Sequence, residues 1–247
     1  LRWVQSLWAG VERLLLELPT SQFDIVRLID PHLAKTMAEA AVAWSYYLHR
    51  DMPKYFQQQQ QKLWQPHDLV ELEDRHIGVL GLGELGRASV NKLCLNGFKV
   101  SGWSRNLASI EGVECFSGTA GLEAILTKSD IIICLLPLTR ETYHLLNAEK
   151  LTMLKQGASI INFSRGPIID TDALLQQLQT RHIDHAVLDV FDIEPLPATN
   201  PLWACPYTTI LPHISAPTNF QTASKIVADN LMNYFDRGTL PLSLIHI

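Results

Sequence analysis

The sequence has little cysteine, no surplus of positive charge, no long apolar run and no excess of glycine or proline. Its four cysteines (Cys94, Cys115, Cys134, Cys205) are widely spaced and form no CxxC pair. That argues against a disulfide framework or a zinc site and leads us to expect a reducing, cytoplasmic setting. The longest apolar run, Ile131 to Leu138, already contains Pro137 and falls far short of the about 20 residues a spanning helix needs, so no membrane partner is expected. With 20 basic and 25 acidic residues the net charge is −5, and no basic cluster stands out. A nucleic-acid partner is therefore disfavoured. Glycine and proline, 13 each and without period, exclude collagen-like and low-complexity classes. The opening residues show neither a charged n-region nor a small-residue cleavage site, so no export signal is expected. Because the first residue is Leu1 and not Met, the chain is expected to be incomplete.

What is present is apolar and patterned. Of 247 residues, 47% are hydrophobic, enough for one large domain or two modest ones. From about residue 76, short β-rich runs alternate with helical stretches. Strands are predicted at 76–80, 98–103, 130–135, 158–163, 186–190 and 208–211, and helices at 85–96 and 171–180, among others. Near-continuous apolar strands alternating with helices predict a doubly wound parallel α/β sheet, covered on both faces. Before residue 76 the pattern changes. Asp30-Pro31 reads as an N-cap followed by proline at the first helical position. Leu33, Met37, Ala41, Trp44 and Leu48 then mark one face of a long helix from Pro31 to about Tyr55. Gln57 to Gln61 read as its solvated end. Residues 1–30 are too few for a self-standing domain and read as the remnant of a larger one.

The segment Gly81-Leu82-Gly83-Glu84-Leu85-Gly86 is a G-x-G-x-x-G directly after a strand and directly before a helix. Gly81 permits a tight turn, Gly83 lets the backbone approach a pyrophosphate, and Gly86 lets the helix pack on the strand, with helix N–H groups facing the anion. This predicts a Rossmann-type dinucleotide site. In NAD sites an acid about 20 residues onward holds the ribose 2′-hydroxyl, yet no Asp or Glu lies between Glu84 and Glu111. The second strand ends in Ser104-Arg105, whose hydroxyl and guanidinium suit a 2′-phosphate, so NADP(H) is expected over NAD(H). A merely solvated loop cation is the other reading of Arg105.

Ligands in open α/β sheets sit outside the carboxyl ends of the strands. Arg165, Glu194 and His213 each follow a predicted strand. Singly, each has a bland reading: a paired cation, a loop carboxylate, a half-buried histidine. Together they offer a clamp for a substrate carboxylate, a proton donor and a carboxylate to hold the imidazolium.

With these segments on the page, the sequence resembles the D-isomer-specific 2-hydroxyacid dehydrogenases. The resemblance is carried in order by Gly81–Gly86, Leu135–Thr142, Asn162–Gly166, Asp189–Pro197, Pro201–Trp203 and Pro212–Ala216. Trp103-Ser104-Arg105 and Pro201-Leu202-Trp203 are similar to the subgroup that reduces glyoxylate and hydroxypyruvate. The resemblance implies an enzyme with Arg165, Glu194 and His213 as its catalytic set. It further implies a small 2-oxo or 2-hydroxy acid substrate, a cofactor cleft lined by Leu136, Pro137, Thr142 and Ser164, and Asp189 near the nicotinamide carboxamide. It assigns Trp8, Ala9 and Gly10, with Arg165, to the substrate loop, although Trp8 replaces the glycine usual there. The expected organisation is a partial, flavodoxin-like substrate domain at 1–30, a linking and dimerising helix at 31–65 and a dinucleotide-binding domain at 66–215. A C-terminal helix at 216–247 returns to the substrate domain. The final residues depart from the family's ending, and a homodimer is expected. Two alternatives remain open at this point: a dinucleotide-sensing, corepressor-like binding module, and an inactive fragment of a reductase.

Overall fold

The computed structural model describes residues 1–241 apart from Ala9, Glu12, Arg13, Leu15, Leu16 and 19–21. Ala9 of the expected substrate loop and the tail 242–247 therefore lie outside the described residues. Seven strands form one parallel sheet: β3 (His76–Leu80), β4 (Lys99–Ser104), β5 (Glu114–Ser117), β6 (Ile131–Cys134), β7 (Ala158–Asn162), β8 (Ile183–Leu188) and β9 (Thr208–Ile210). Their order across the sheet is β5-β4-β3-β6-β7-β8-β9. The chain runs outward from β3 to β5, then crosses back to β6 and runs outward the other way, so the switch point lies between β3 and β6. A second, two-stranded parallel sheet pairs β1 (Trp3–Gln5) with β2 (Asp24–Val26).

Alternation along the strands divides the core between two faces. Ile77, Val79, Ile131, Ile133, Ile161 and Val187 pack under α1 (Pro31–His49) and, later in the chain, α3 (Glu84–Leu95). Ile132, Cys134, Ile160, Ala186 and Leu188 pack under α4 (Gly118–Lys128), α5 (Ala148–Thr152) and α6 (Thr171–Gln179). Each fully buried isoleucine in these layers contributes about 1.5–3 kcal/mol. Burial pushes the Cys134 thiol up to about 12.

The helix starting at Pro31 is capped as expected, with Asp30 Oδ1 accepting from His32 N at 2.8 Å. It does not run to Tyr55, however. It ends at His49, Asp51 turns left-handed (φ 52°), and a separate helix α2 (Met52–Gln61) begins. The break follows from Pro53, which has no N–H to donate back into the preceding turn. Met37, Ala41 and Leu48 lie in the core, and Trp44 and Tyr47 pack against it. The apolar face of α1 is thus used internally. The exposed apolar groups come later: Phe56 on α2 and Leu63, Trp64 and Leu69 after it. The glutamine run supplies α2's C-terminal half, and Gln57 Nε2 donates to Pro206 O at 2.7 Å.

Side chains tie the outer elements to this frame. Tyr47 Oη lies 3.1 Å from Thr209 Oγ1, which lies 2.8 Å from His185 Nε2. Burial lowers the His185 pKa to about 4. Helix α7 (Phe220–Arg237) returns to β1: Asn230 Nδ2 donates to Gln5 Oε1 at 2.8 Å, and Trp3 meets Tyr234 edge-on. Its first turn also meets the start of α1, where Thr222 Oγ1 donates to Asp30 Oδ2 at 2.5 Å. Among the described residues no helix is long and apolar enough to cross a membrane.

Candidate active site

The glycine loop leaves β3 at the switch point. Gly81 has φ +103°, and a Cβ there would lie 2.5 Å from Leu135 O. At Gly86 a Cβ would lie 1.8 Å from Gly81 O, so only glycine lets α3 start this close to the turn. Gly83 differs, because a Cβ there would meet nothing within 4 Å. It is the N-cap of α3 and makes no side-chain cap hydrogen bond. The first N–H groups of α3, at Glu84 and Leu85, therefore have no capping side chain, and the space before them is open, which is the cradle a pyrophosphate fits. The Leu82 side chain is buried, leaving its backbone to the loop.

At the end of β4, Ser104 Oγ donates to Asn106 O at 2.6 Å, and Arg105 is exposed. No acid follows on this strand, but Glu141 approaches from the loop after β6. A hydrogen bond from Thr139 holds its carboxyl below the usual range, with smaller help from Arg105 and Arg140. That loop is stapled by Thr142, whose Oγ1 donates to Pro137 O at 2.7 Å and accepts from Thr139 N at 2.7 Å. Leu136 is buried and Pro137 exposed. The Thr142 hydroxyl is therefore already engaged within its own loop.

Arg165, Glu194 and His213 follow the carboxyl ends of the neighbouring strands β7, β8 and β9. Buried Asn162 closes the turn after β7. Its Oδ1 accepts from Ser164 N (3.1 Å) and Ser164 Oγ (2.7 Å), while its Nδ2 donates to Arg165 O at 3.1 Å. The Ser164 hydroxyl is thus held inside the turn. Arg165 is half-buried and donates from Nη1 to Ser164 O at 2.6 Å. Gly166 brings this turn against the loop after β8: a Cβ there would lie 2.1 Å from the Phe191 carbonyl carbon. In that loop Glu194 Oε1 accepts from Phe191 N at 2.9 Å, and Glu194 Oε2 lies 2.8 Å from His213 Nδ1. With Nδ1–H donating to the carboxylate, His213 Nε2 is left for a ligand, and its side chain is 53% exposed.

Asp189 is buried at the end of β8. Its Oδ1 accepts from Ile214 N at 2.7 Å and its Oδ2 from Ser215 N at 2.9 Å, the two residues after His213. In the front section, Trp8 is exposed, Gly10 is half-buried, and Ser6 Oγ accepts from Trp8 N at 3.1 Å. Leu28 N donates to Trp8 O at 3.1 Å, which fixes the start of that loop beside the strand β2. Residue-type reasoning does not reach Asn162 or the amides of Phe191, Ile214 and Ser215. The only signal for Asn162 was its place in the Asn162–Gly166 segment. Nothing in the sequence marks the amides, which act through main chain.

The sequence profile described as "D-isomer specific 2-hydroxyacid dehydrogenase, NAD binding domain" matches residues 42–215. The glyoxylate/hydroxypyruvate reductase A of Serratia proteamaculans is 36% identical over 254 residues, covering 100% of this chain and 80% of the relative. That of Yersinia enterocolitica is 37% identical with the same coverage. Among solved structures, a D-isomer specific 2-hydroxyacid dehydrogenase from Xanthobacter autotrophicus Py2, in complex with NADPH and MES, superposes with a TM-score of 0.94. It shares 37% identity, over 99% of this chain and 78% of that one. The NADPH-dependent glyoxylate/hydroxypyruvate reductase of Sinorhizobium meliloti, with NADP and sulfate, gives 0.93 at 30% identity, over 100% and 79%. The glycine loop at the switch point and the profile match over most of the chain agree: this chain belongs to the D-isomer-specific 2-hydroxyacid dehydrogenase family and carries its nicotinamide-dinucleotide-binding domain.

Proposed function

We propose that the chain reduces a small 2-oxo acid, glyoxylate or hydroxypyruvate, to the 2-hydroxy acid, with NADPH preferred over NADH. The observation that carries the reading is the His213–Glu194 pair, 2.8 Å apart beyond the strand ends, on the sheet whose switch point holds the glycine loop. The reduced nicotinamide, when bound, supplies the hydride. Arg165 binds the substrate carboxylate and draws negative charge from the carbonyl oxygen as it develops. His213 donates the proton from Nε2 to that oxygen, while Glu194 accepts the Nδ1 hydrogen bond and fixes the ring. Since His213 faces solvent, its proton is replaced from water after each turnover. Arg105, beside Ser104, holds the 2′-phosphate, and the loop that begins at Leu7 binds the substrate carboxylate. The exposed apolar residues on and after α2 form the contact between two copies of the chain.

The test is NADPH oxidation with glyoxylate and with hydroxypyruvate, for the wild type and for His213→Gln. Turnover of the variant is expected to fall by about 10²–10⁴-fold while NADPH affinity holds. Wild-type protein that binds NADPH yet turns over neither acid would favour a dinucleotide-sensing module.

A further inference from the structure

His213 has a strained main chain. Its φ is +54°, in the left-handed region that side chains with a Cβ enter at a cost. The preceding Pro212 has no N–H and so cannot extend the β9 ladder, and the chain turns at His213. Such a conformation persists only where its surroundings over-determine it. On the main-chain side, one side chain supplies hydrogen bonds to the residues that follow. Both oxygens of buried Asp189 hold the next two amides, Ile214 N at 2.7 Å and Ser215 N at 2.9 Å. The imidazole is thus held twice, by Glu194 at the ring and by Asp189 at the backbone just beyond it.

We infer that Asp189 is a positioning residue for the proton donor: its carboxylate clamps the 214–215 amides and keeps His213 in the left-handed turn that aims its ring at Glu194. This rests on the reading of His213 as proton donor and differs from the contact with the nicotinamide carboxamide that the family resemblance implies for Asp189. The two amides converge on one carboxylate from consecutive residues, so no rotation of the loop preserves both bonds. Without the clamp, His213 relaxes toward the extended region and its ring leaves Glu194. A misplacement of about 1 Å in such a group is enough for about a 100-fold loss of rate.

The experiment is a double-mutant cycle on kcat with Asp189→Asn, His213→Gln and the double variant, alongside NADPH affinity by fluorescence titration. Asparagine keeps one acceptor and turns an N–H₂ toward the other amide. Asp189→Asn is expected to lower kcat by about 10–100-fold, with KM for the acid and Kd for NADPH within about threefold of wild type. In the His213→Gln background the same change is expected to alter kcat less than about twofold, because the group it positions is gone. A full additive loss in that background, or a rise in NADPH Kd matching the loss in kcat, overturns the inference. If His213→Gln alone leaves kcat unchanged, the proton-donor reading itself falls and this inference falls with it. If Asp189→Asn does not fold, amide hydrogen exchange on the wild type decides. Slow exchange at Ile214 and Ser215 supports the clamp, and exchange at the rate of an open loop overturns it.

Discussion

Gly83 and Gly86 lie three residues apart at the start of α3, yet alanine at the two positions should do opposite things. At Gly86 a Cβ would sit 1.8 Å from the Gly81 carbonyl oxygen, which is backbone and cannot swing aside. Helix α3 must then draw back from β3 by more than an ångström, at a cost of about 3 kcal/mol. Alanine itself favours the helix over glycine by about 1 kcal/mol, leaving a net loss of about 2 kcal/mol. For a chain of this size that lowers Tm by about 4–8 °C. At Gly83 the added methyl meets no protein atom, and φ −72°, ψ −167° is open to alanine. Stability there should change by less than about 1 kcal/mol. The methyl instead occupies the space before the α3 amides, where each charge-assisted bond to a pyrophosphate oxygen carries about 1.5–3 kcal/mol. Losing one raises the NADPH Kd by about 10–100-fold. Thermal melts by circular dichroism and NADPH titration by fluorescence read the two effects separately. If Gly83→Ala binds NADPH as tightly as wild type, or if Gly83→Ala and not Gly86→Ala lowers Tm, the assignment of roles along the loop is wrong.

Three further outcomes are expected. Arg105→Ala should raise the Kd for NADPH by about 10–100-fold and leave that for NADH within about threefold, since only the former carries the 2′-phosphate; an equal rise in both would remove Arg105 from cofactor discrimination. Burial holds the native His185 pKa near 4, below its usual 6.5, so the unfolded chain takes up a proton between those values that the native chain does not. Stability should therefore fall as the pH drops from about 6.5 to 4, by on the order of 3 kcal/mol at 1.36 kcal/mol per unit; urea unfolding across that range should show a shallower slope in His185→Gln, and an unchanged slope would refute the assignment. Light scattering should give twice the 27.8 kDa chain mass, and Trp64→Asp should move the population toward monomer; a wild-type monomer would sink the dimer.

The core of the sheet was legible because its strands are apolar on both faces: Ile131–Cys134 and Ala158–Asn162 admit few other readings. The edge strand β5 was not, since Glu114–Ser117 is short, half polar and without a fully buried residue, and carries no periodic signal. The break between α1 and α2 is signalled by Pro53, whereas the periodic face of Leu33, Met37, Ala41, Trp44 and Leu48 stops before it and carries no boundary of its own. At the candidate site, the residues legible in the sequence are the glycines of the turn after β3 and Arg165, Glu194 and His213, which follow the ends of β7, β8 and β9. What escaped is carried by main chain. The turn at His213 and the amides of Ile214 and Ser215 converge on Asp189 only because β8 and β9 are neighbours. Trp103 illustrates the converse. It resembles part of a cofactor signature, yet the buried indole donates to Gly118 O at 2.9 Å and so fastens β4 to the start of α4.

Cys134 carries a practical consequence. Alkylating reagents attack thiolates, and burial pushes the Cys134 thiol up to about 12, so it stays protonated at neutral pH, and its side chain is fully buried on β6. Cys94, by contrast, faces solvent on α3. Mass spectrometry of the two peptides after timed labelling would set a prompt signal against a delayed one. The delay reports how often β6, the strand beside the glycine loop, separates from its neighbours, with no dye or tag introduced.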